Sequence, residues 1–416
     1  MALTYLRFNM RSNRFSLFFA LLACVSLVAC SKKSAPTPAG PVKIAPTLAA
    51  QTTSSADPGN ITIPSPPAVA ARGYILIDYL SGQVLASSND SERLEPASLT
   101  KLMSGYVIFK ALKEGRIKLT DMVTISAHAR DQDGSRMFID VGKQVSVDDL
   151  LSGMIVQSGN DATVALAEHV AGSEPVFVEL MNRYAQQLGM KQSHFENSPG
   201  MPSAQHYTTA HDIAYVSAAI IREFPEYYHW YSQREFSWNG ITQHNRNGLL
   251  ERDSTVDGMK TGHTETAGYC LVSSAKREGM RLVSVVMGSS SVRAREDASA
   301  ALLNYGFRFY DTQTLYSAHK PLTTIRVRQG MAPDVALALN TDVTLTLPRG
   351  QAGGIQGVLD IPARVEAPLD HNKPVGQLRV MVGDKEIAKR DVYPVADVRQ
   401  AGFFKRKIDG LKQWFE

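Results

Sequence analysis

The first globular pattern in the chain is a pair of short apolar runs that a turn signal separates. Residues 74–77 and 84–86 flank a Ser-Gly pair at 81–82, and this order predicts a β-hairpin. Further on, Pro96 opens a helix that Gly115 can end, and the middle of this helix is apolar nearly all round. A helix without a polar face predicts burial at the centre of a domain.

Helical and strand patterns follow one another over the next 200 residues or so. The segments with helical spacing are 147–170, 174–188, 209–223 and one that ends at Gly306. Strand patterns cover 268–274 and 282–287, so that strands at both ends enclose the helices and predict an α+β domain over 71–310. Short alternating runs between Pro and Gly residues then predict a small all-β domain over 315–394.

The N-terminal pattern is that of an export signal followed by a linker. An apolar run over 15–29 follows a basic stretch and spans about half of a bilayer as a helix, so residues 1–29 are predicted as a signal peptide rather than a membrane span. Leu27-Val28-Ala29-Cys30 resembles the lipobox of bacterial lipoproteins, in which Cys30 would be lipidated; an ordinary signal cleaved nearby is the alternative. Residues 30–70 are rich in Ala, Pro, Thr and Ser without an apolar period, and are predicted as a disordered tether.

The C-terminal segment, 395–416, is predicted as an amphipathic helix that lies in a membrane interface. At 100° per residue, its large apolar side chains gather on one side and most of the other side is polar. The apolar residues are Phe403, Phe404, Ile408, Leu411, Trp414 and Phe415. A helix docked on its own protein is the alternative.

Composition excludes several classes of protein. Of 416 residues, 44% are hydrophobic and 20% are charged, which is typical of a globular chain with room for two domain cores. The formal charge is only +4, and Arg7, Arg11 and Arg14 of the leader contribute to it, so no nucleic-acid partner is expected. Cys270 is the one cysteine outside the leader and the lipobox, so no disulfide is expected, and its apolar neighbours predict a buried thiol.

Three short motifs carry the candidate chemistry, and the first is Ser98-Leu99-Thr100-Lys101 at the start of the buried helix. One helical turn puts Ser98 and Lys101 on the same face. The helix N-terminus favours a developing anion beside Ser98, and Lys101 can act as its base only if the amine is neutral. A Ser-x-x-Lys pair alone is weak evidence, because a chain of this length holds about one or two by chance.

Two further motifs strengthen this interpretation. Ser158-Gly159-Asn160 supplies a hydroxyl for proton transfer and an amide for binding a carbonyl. Lys260-Thr261-Gly262 places a cation and a hydroxyl on a strand, with a glycine that lets a substrate backbone approach closely. Each triplet could arise by chance, so it is their order and spacing that indicate one site.

In this order the motifs resemble those of the serine penicillin-recognising enzymes, which are the penicillin-binding proteins and the class A β-lactamases. The surrounding residues are similar to penicillin-binding proteins 5 and 6, the low-molecular-mass D-alanyl-D-alanine carboxypeptidases of Gram-negative bacteria. The stretches that carry this similarity are 96–101, 157–162, 245–250 and 257–264. The similarity runs from about Tyr74 to the C-terminus. It implies a β-lactamase/transpeptidase-like α+β domain with an antiparallel sheet and a helical subdomain, then a small all-β domain and a C-terminal amphipathic helix.

The resemblance implies a reaction for the motif residues. Ser98 would attack the carbonyl between the two terminal D-alanines of a peptidoglycan pentapeptide, and β-lactam antibiotics would acylate the same residue. Lys101 would take the serine proton and later activate the deacylating water. Ser158 would pass a proton to the leaving D-alanine, and Asn160 would orient Lys101 and the substrate amide. No cofactor and no metal ion are implied.

The resemblance also implies how the substrate is held. Lys260, Thr261 and Arg246 would bind the terminal carboxylate, and the backbone N–H groups of Ser98 and His263 would form the oxyanion hole. The residues implied in substrate binding are Asn160, Arg246, Lys260, Thr261, Gly262, His263 and Arg295. A surface-loop position without a role in binding is the alternative for Arg246.

Two features depart from the family pattern. Members of the family carry an ordinary cleaved signal and rely on the C-terminal helix, whereas this chain also has the lipobox at Cys30. The two anchors predict a protein on the periplasmic side of the envelope, held at a membrane. Ser31 is not the aspartate that commonly retains a lipoprotein in the inner membrane, but the C-terminal helix favours the outer face of that membrane, so the inner membrane is predicted. The stretch 126–142 is shorter than the active-site loop of the family, which leaves substrate preference and deacylation rate open.

Three other functions share parts of this pattern. A class A β-lactamase needs a deacylating glutamate, commonly in Glu-x-x-Leu-Asn, and Glu179-Leu180-Met181-Asn182 has the wrong spacing. A D,D-endopeptidase of the same superfamily usually lacks the β domain and the tail. A non-catalytic wall-binding lipoprotein would tolerate the loss of Ser98 or Lys101, yet every motif residue is present. A carboxypeptidase is therefore the predicted function.

Overall fold

The computed structural model describes residues 42–46, 63–351 and 354–402. The predicted signal peptide, Cys30 and the tail from Phe403 onward lie outside these residues. Among the helices of the described part, none combines the length and the apolar character needed to cross a membrane.

The described residues form eighteen strands and eight α-helices, together with two 3₁₀ helices. The strands are β1 Val42–Ile44, β2 Gly73–Asp78, β3 Val84–Ser88, β4 Met122–Thr124, β5 Gln144–Ser146, β6 Glu235–Trp238, β7 Ile241–His244, β8 Val256–Thr264, β9 Gly268–Arg277, β10 Met280–Ser289, β11 Tyr310–Tyr316, β12 Thr323–Arg328, β13 Asp334–Ala338, β14 Val343–Pro348, β15 Ile355–Asp360, β16 Arg364–Glu366, β17 Gly376–Val382 and β18 Lys385–Pro394. The α-helices are α1 Thr100–Lys113, α2 Ala127–Arg130, α3 Val147–Ile155, α4 Asn160–Ala171, α5 Glu174–Gln187, α6 Ala210–Glu223, α7 Leu249–Arg252 and α8 Val292–Phe309. The 3₁₀ helices are Ala97–Leu99 and Tyr228–Ser232.

A five-stranded antiparallel sheet with the order β3-β2-β10-β9-β8 lies at the centre of the first domain. Successive side chains point to opposite faces of a strand. Ile75 and Ile77 of β2 therefore pack with α1 and α3 to α6, whereas Leu76 packs with α8 on the other face. The predicted hairpin and the predicted buried helix are confirmed, because β2 pairs with β3 and nearly all of α1 is buried.

Two predicted helix boundaries differ from the structure. The helical pattern over 147–170 is split into α3 and α4, because Ser158 has a left-handed φ of +64° that interrupts a right-handed helix. The last helix of the domain continues past Gly306 to Phe309. Gly306 does not end this helix; it leaves room for the side chains of Leu76 and Leu282 in the sheet.

The second domain is built of strands, as predicted. Its seven-stranded sheet has the order β1-β15-β17-β18-β13-β12-β16, and β11 pairs with β14 beside it. Aliphatic side chains such as Leu337, Leu359 and Leu378 are completely buried in its core. Alternation of buried and exposed positions along β15 agrees with the pattern that predicted these strands.

The chain on either side of this domain departs from the predicted segments. Residues 395–402 form no helix, because Leu369 pairs with Val398 and Gly330 pairs with Gln400 in the β domain. The boundary at 395 was therefore wrong, and the rest of the predicted tail helix lies outside the described residues. Within the segment predicted as a disordered tether, Val42–Ile44 form β1 and pair with β15.

The two domains meet at a buried polar cluster. The carboxylate of Asp78 accepts hydrogen bonds from the Ser81 backbone N–H at 2.7 Å and the Ser81 hydroxyl at 2.8 Å, both in the first domain. It also accepts the Thr312 hydroxyl at 2.7 Å, from the second domain. Ser81 and Thr346 join the same cluster through hydroxyls 2.6 Å apart, and Asp78 has no exposed surface.

Candidate active site

Ser98 lies on the 3₁₀ turn Ala97–Leu99 that leads directly into α1. Gly262 of β8 packs against this turn, where a Cβ atom would lie 3.1 Å from the Pro96 carbonyl oxygen and 3.2 Å from the Leu99 nitrogen. The sequence analysis expected Gly262 to let a substrate backbone approach closely. In the structure, the backbone that approaches it closely is the protein's own 3₁₀ turn. Gly262 thus lets the strand of the third motif lie alongside the serine.

Lys101 lies beneath Ser98, with only 1% of its surface exposed. Its Nζ is 3.2 Å from the Ser98 hydroxyl and donates to Asn160 Oδ1 at 2.7 Å and to the Pro199 carbonyl at 2.8 Å. Burial and, to a smaller extent, the positive charge of Arg246 lower the pKa of Lys101 to about 7, while the negative charge of Asp161 acts in the opposite direction. The neutral amine that a base requires is therefore accessible near neutral pH.

Ser158 faces this pair from the turn between α3 and α4. Its left-handed backbone is a strained conformation for a residue other than glycine, and its hydroxyl accepts a hydrogen bond of 2.9 Å from Lys260 Nζ. Burial holds the pKa of Lys260 well below its usual value, and the charges of Lys101, Arg246 and Arg295 add to this effect. Two lysines and a serine hydroxyl thus adjoin Ser98 within one buried network.

Asn160 begins α4 and connects this network to the loop before α3. Its Oδ1 accepts from Lys101, while its Nδ2 donates to the Asp133 carbonyl at 2.5 Å. Its backbone N–H donates to the Ser135 carbonyl at 2.7 Å. The Asn160 oxygen therefore holds the Lys101 amine, which agrees with the predicted orientation of Lys101. Of the two Nδ2 hydrogens, one bonds to the Asp133 carbonyl and the other faces the Met201 sulfur at 3.4 Å, which is a weak acceptor.

Asp161 is a residue that the sequence analysis missed. Its buried carboxylate accepts the backbone N–H groups of Met137 at 2.8 Å, Phe138 at 2.9 Å and Ile139 at 3.4 Å. Phe138 has a left-handed φ of +65°, so the carboxylate holds the loop in a conformation that a bulky residue seldom adopts. The available signal was an acid next to the Ser-Gly-Asn motif in the first turn of a helix.

These elements border a cleft of about 640 Å³. Its lining residues are Ser98, Gly134, Ser135, Ser158, Arg246, Thr261, Gly262, His263, Tyr269, Val292 and Arg295. No carboxylate is among these described lining residues, and Glu179 is exposed on α5 outside them. An anionic group of a substrate would therefore meet cationic side chains in the cleft, with no acidic side chain among these lining residues to compete for them.

The two arginines of the cleft are held differently. Arg295 is buried and donates to the carbonyl oxygens of Gly262 at 3.3 Å, Cys270 at 3.4 Å and Arg246 at 3.2 Å, so most of its guanidinium supports the cleft wall. Arg246 forms no ion pair with an acid of the described residues, and burial lowers its pKa. Arg246 is thus the better placed of the two to receive a ligand carboxylate.

The structure brings all ten predicted active-site residues together, whereas Cys30 lies outside the described residues. Sequence analysis also missed Tyr269, whose ring stacks on His263 at 4.0 Å between ring centres. Tyr269 is the cross-strand partner of His263, so the β8–β9 hairpin was the signal for it. The Pro199 carbonyl left no signal, because a backbone acceptor does not depend on residue type.

A serine beside a neutral amine and a cationic cleft can perform acyl transfer on a substrate that ends in a carboxylate.

Comparison with known proteins connects this geometry to a family. Residues 60–291 match the profile of the D-alanyl-D-alanine carboxypeptidases, and residues 310–400 match that of the C-terminal domain of penicillin-binding protein 5. The D-alanyl-D-alanine carboxypeptidase DacA of Haemophilus influenzae is 44% identical over 353 residues, which cover 83% of this chain and 90% of that protein. DacA of Escherichia coli K12 is 42% identical over 362 residues, with 85% and 90% covered.

Solved structures give the same result. Penicillin-binding protein 5 of Haemophilus influenzae superposes with a TM-score of 0.77 at 43% identity, and the match covers 81% of this chain and 99% of that one. Penicillin-binding protein 6B of Escherichia coli superposes with a TM-score of 0.67 at 37% identity, covering 80% and 97%. Both domains of the chain therefore have counterparts of known structure.

Proposed function

Since the chain belongs to the D-alanyl-D-alanine carboxypeptidase family of serine peptidases, we propose the role of each residue in its active site. The protein is a serine-type D-alanyl-D-alanine carboxypeptidase that removes the terminal D-alanine from peptidoglycan stem pentapeptides through an acyl-enzyme. The observation that supports Ser98 as nucleophile and Lys101 as base is their 3.2 Å contact inside a buried network. Each further role follows from what surrounds this pair.

Acylation begins when the neutral Lys101 amine accepts the proton of the Ser98 hydroxyl. The Ser98 oxygen forms a bond to the carbonyl carbon between the two terminal D-alanines, and the carbonyl oxygen becomes an oxyanion. The backbone N–H groups of Ser98 and His263 stabilise that oxyanion. The C–N bond then breaks, and Ser158, which lies 2.9 Å from Lys260 Nζ, passes its hydroxyl proton to the leaving amine and regains one from the protonated Lys101. D-Alanine departs and the rest of the peptide remains as an ester on Ser98.

Deacylation uses the same base. Lys101, neutral again once its proton has moved on, takes a proton from a water molecule whose oxygen attacks the ester carbonyl. The ester C–O bond breaks, the proton returns to Ser98, and the shortened peptide leaves as a carboxylate. A β-lactam acylates Ser98 by the same steps, but its amide nitrogen stays attached through the opened ring and cannot diffuse away.

The terminal carboxylate of the substrate determines the direction of binding. Arg246 faces the cleft without an acidic partner among the described residues, and Thr261 contributes a hydroxyl from β8. Lys260 contributes N–H donors from the neighbouring position on the same strand. A guanidinium binds a carboxylate through two parallel hydrogen bonds, so Arg246 gives this contact its geometry as well as its charge. Arg295 acts by holding the backbone around Arg246 and Gly262.

Attachment to a membrane completes the proposal. Export by residues 1–29, lipid on Cys30 and an interfacial helix formed by 403–416 would hold the enzyme on the periplasmic side of the envelope, at the inner membrane. The support is the sequence pattern of both ends, which includes a basic stretch before the apolar leader and an apolar stripe on the tail. The relatives compared above are bacterial D-alanyl-D-alanine carboxypeptidases, which is consistent with an enzyme of the cell envelope.

One experiment tests the proposed nucleophile. Purified protein is incubated with labelled penicillin and, separately, with a synthetic peptide that ends in D-Ala-D-Ala. We expect a single penicilloyl adduct on the peptide that contains Ser98, and release of one D-alanine per substrate. Ser98→Ala should lose both, with a fall in turnover of several powers of ten. An adduct that persists in Ser98→Ala would assign the nucleophile to another residue.

A further inference from the structure

The segment Val42–Ile44 precedes the catalytic domain in sequence but lies on the β domain. It forms β1, which runs antiparallel to β15 and places Ile44 opposite Gly357. The Tyr316 hydroxyl donates to the Ile44 carbonyl at 3.3 Å, and the Ile44 side chain packs on the core of the β domain. Proline residues stand directly before this strand and two residues after it, and proline is typical of short edge strands.

The β domain has a place shaped for this strand. A Cβ atom on Gly357 would lie 2.9 Å from Cγ1 of Ile44, so the glycine leaves the space that Ile44 fills. Without β1, β15 would be an outer strand with a row of unpaired N–H and C=O groups. Added strands close such edges through backbone hydrogen bonds and alternate side chains.

The chain after this strand returns to the catalytic domain. The Tyr305 hydroxyl donates to the Pro64 carbonyl at 3.0 Å, and the Ser289 hydroxyl donates to the Ala70 carbonyl at 3.0 Å. Ile63 packs against the buried cluster around α8. The N-terminal segment therefore contacts both domains before the first strand of the catalytic sheet.

We propose that Val42–Ile44 is a docking strand. Because of it, the N-terminal tether extends from the β domain rather than from the catalytic domain. The consequence for an anchor rests on the lipid proposed at Cys30. Cys30 lies 12 residues before Val42, a reach of at most about 43 Å, and 33 residues before Ile63, a reach of at most about 120 Å. The docking strand thus limits the reach of that anchor to roughly a third.

The same domain also holds the other end of the described chain. Gln400 pairs with Gly330, and the Ala401 backbone N–H donates to the Gln329 carbonyl at 2.7 Å. Both proposed anchors therefore leave from the β domain. Through these anchors, the catalytic domain is connected to the membrane by way of the β domain. The docking strand divides the 41 residues of the predicted tether (30–70), which therefore do not act as one free linker.

An engineered disulfide tests the docking strand without depending on catalysis or lipid. Lys43 and Val358 are opposite one another in the pairing of β1 with β15, and opposite residues are close enough for a disulfide. We expect Lys43→Cys with Val358→Cys to lose both thiols on mild oxidation, whereas Val42→Cys with Val358→Cys should keep them, since those side chains face opposite sides. Both double variants also carry Cys30→Ser, and Cys270 is completely buried, so neither native cysteine should compete. Equal oxidation of both pairs, oxidation of neither, or disulfide-linked dimers would overturn the proposal.

Hydrogen exchange on the unmodified protein gives an independent measurement. We expect the amides of Val42–Ile44 that bond to β15 to exchange at least about tenfold more slowly than in an unfolded chain. Ile44→Asp should remove this protection and that of the facing edge at 355–360, while Lys43→Ser, whose side chain points outward, should keep both. Penicillin acylation should be unchanged in the two variants. A lack of protection throughout Val42–Ile44 in the wild-type protein would contradict the docking strand even if the disulfide forms.

Discussion

The Lys260 ammonium and the Ser158 hydroxyl are hydrogen-bonded at 2.9 Å, although 102 residues separate them along the chain. Lys260 lies on the edge strand of the central sheet, and Ser158 lies on the turn between two helices of the opposite half. This bond therefore joins the two walls of the cleft just beside Ser98. Replacement of either side chain would remove this connection between the walls.

The pH dependence of acylation should report the state of Lys101. Burial lowers the pKa of Lys101 to about 7, so the amine is protonated below that pH and neutral above it. Because only the neutral form accepts the Ser98 proton, we expect the acylation rate constant to rise with pH and level off above about 7. Stopped-flow measurement with a chromogenic β-lactam gives this profile. A rate that is flat across this range would contradict the assignment of Lys101 as base.

Arginine at the same position provides the control for charge. Lys101→Arg keeps a cation beside Ser98 but cannot release a proton near neutral pH. We expect Lys101→Arg to lose nearly as much acylation rate as Lys101→Ala, by several powers of ten. If the arginine variant retained most of the rate, the role of Lys101 would be electrostatic.

Arg246 should act through the terminal carboxylate of the substrate. Amidation of the last D-alanine is expected to lower kcat/KM of the wild-type enzyme by about 10- to 100-fold, the value of a charged hydrogen bond. In Arg246→Ala the same amidation should cost much less, because both changes remove one interaction. Arg390→Ala, an exposed arginine of the β domain, is the control and should respond as the wild type does. Fully additive losses would separate Arg246 from the carboxylate.

Asp161 should act on turnover by holding the loop at Met137–Ile139. Asp161→Asn replaces one acceptor oxygen by an N–H donor that would face the backbone N–H groups. We expect a lower melting temperature and a fall in kcat/KM of about tenfold or more, since bonds to a charged group contribute about 1.5–3 kcal/mol each. Asp148→Asn, an exposed acid in the first turn of α3, is the matched control and should change neither quantity. Wild-type kinetics in Asp161→Asn would show that the loop orders without the carboxylate.

The protein should leave the membrane only when both proposed anchors are lost. Val398 and Gln400 pair within the β domain, so a truncation that spares the fold starts at residue 403. We expect deletion of 403–416 to leave hydrolysis of a soluble peptide unchanged. Release from the membrane fraction should follow only when Cys30 is also replaced, because a bacterial lipoprotein typically carries more than one acyl chain at its cysteine and can then stay attached without the helix. Complete release by either change alone would identify the sole anchor.

Sequence predicted most of the catalytic domain because its signals are local. The apolar period gave the hairpin and α1, and motif spacing identified Ser98, Lys101 and Lys260 as one site before any geometry was known. What escaped prediction depends on backbone atoms or distant partners. Asp161 binds three backbone N–H groups, which leave no trace in residue type. The strand Val42–Ile44 is too short to show a period, and its partner β15 is more than 300 residues away.

The tail boundary at 395 failed for a related reason. A helical pattern that is strong from Phe403 onward says nothing about where the preceding chain stops pairing. Val398 is buried in the β domain and pairs with Leu369, so these residues follow the sheet rather than the helix. Ser158 shows the same limit at the active site, because a helical pattern on both sides of it concealed a left-handed residue.

The buried cluster around Asp78 has a consequence for the way the protein unfolds. Separation of the two domains would break the hydrogen bond from Thr312 to this carboxylate and the one between the Ser81 and Thr346 hydroxyls. A domain that melted alone would bear this cost, so the two are expected to lose structure together. Scanning calorimetry should then show one cooperative transition, and an acyl group on Ser98 that stabilises the first domain should raise the melting temperature of the second by the same amount. Two resolved transitions would show that the domains are thermodynamically independent.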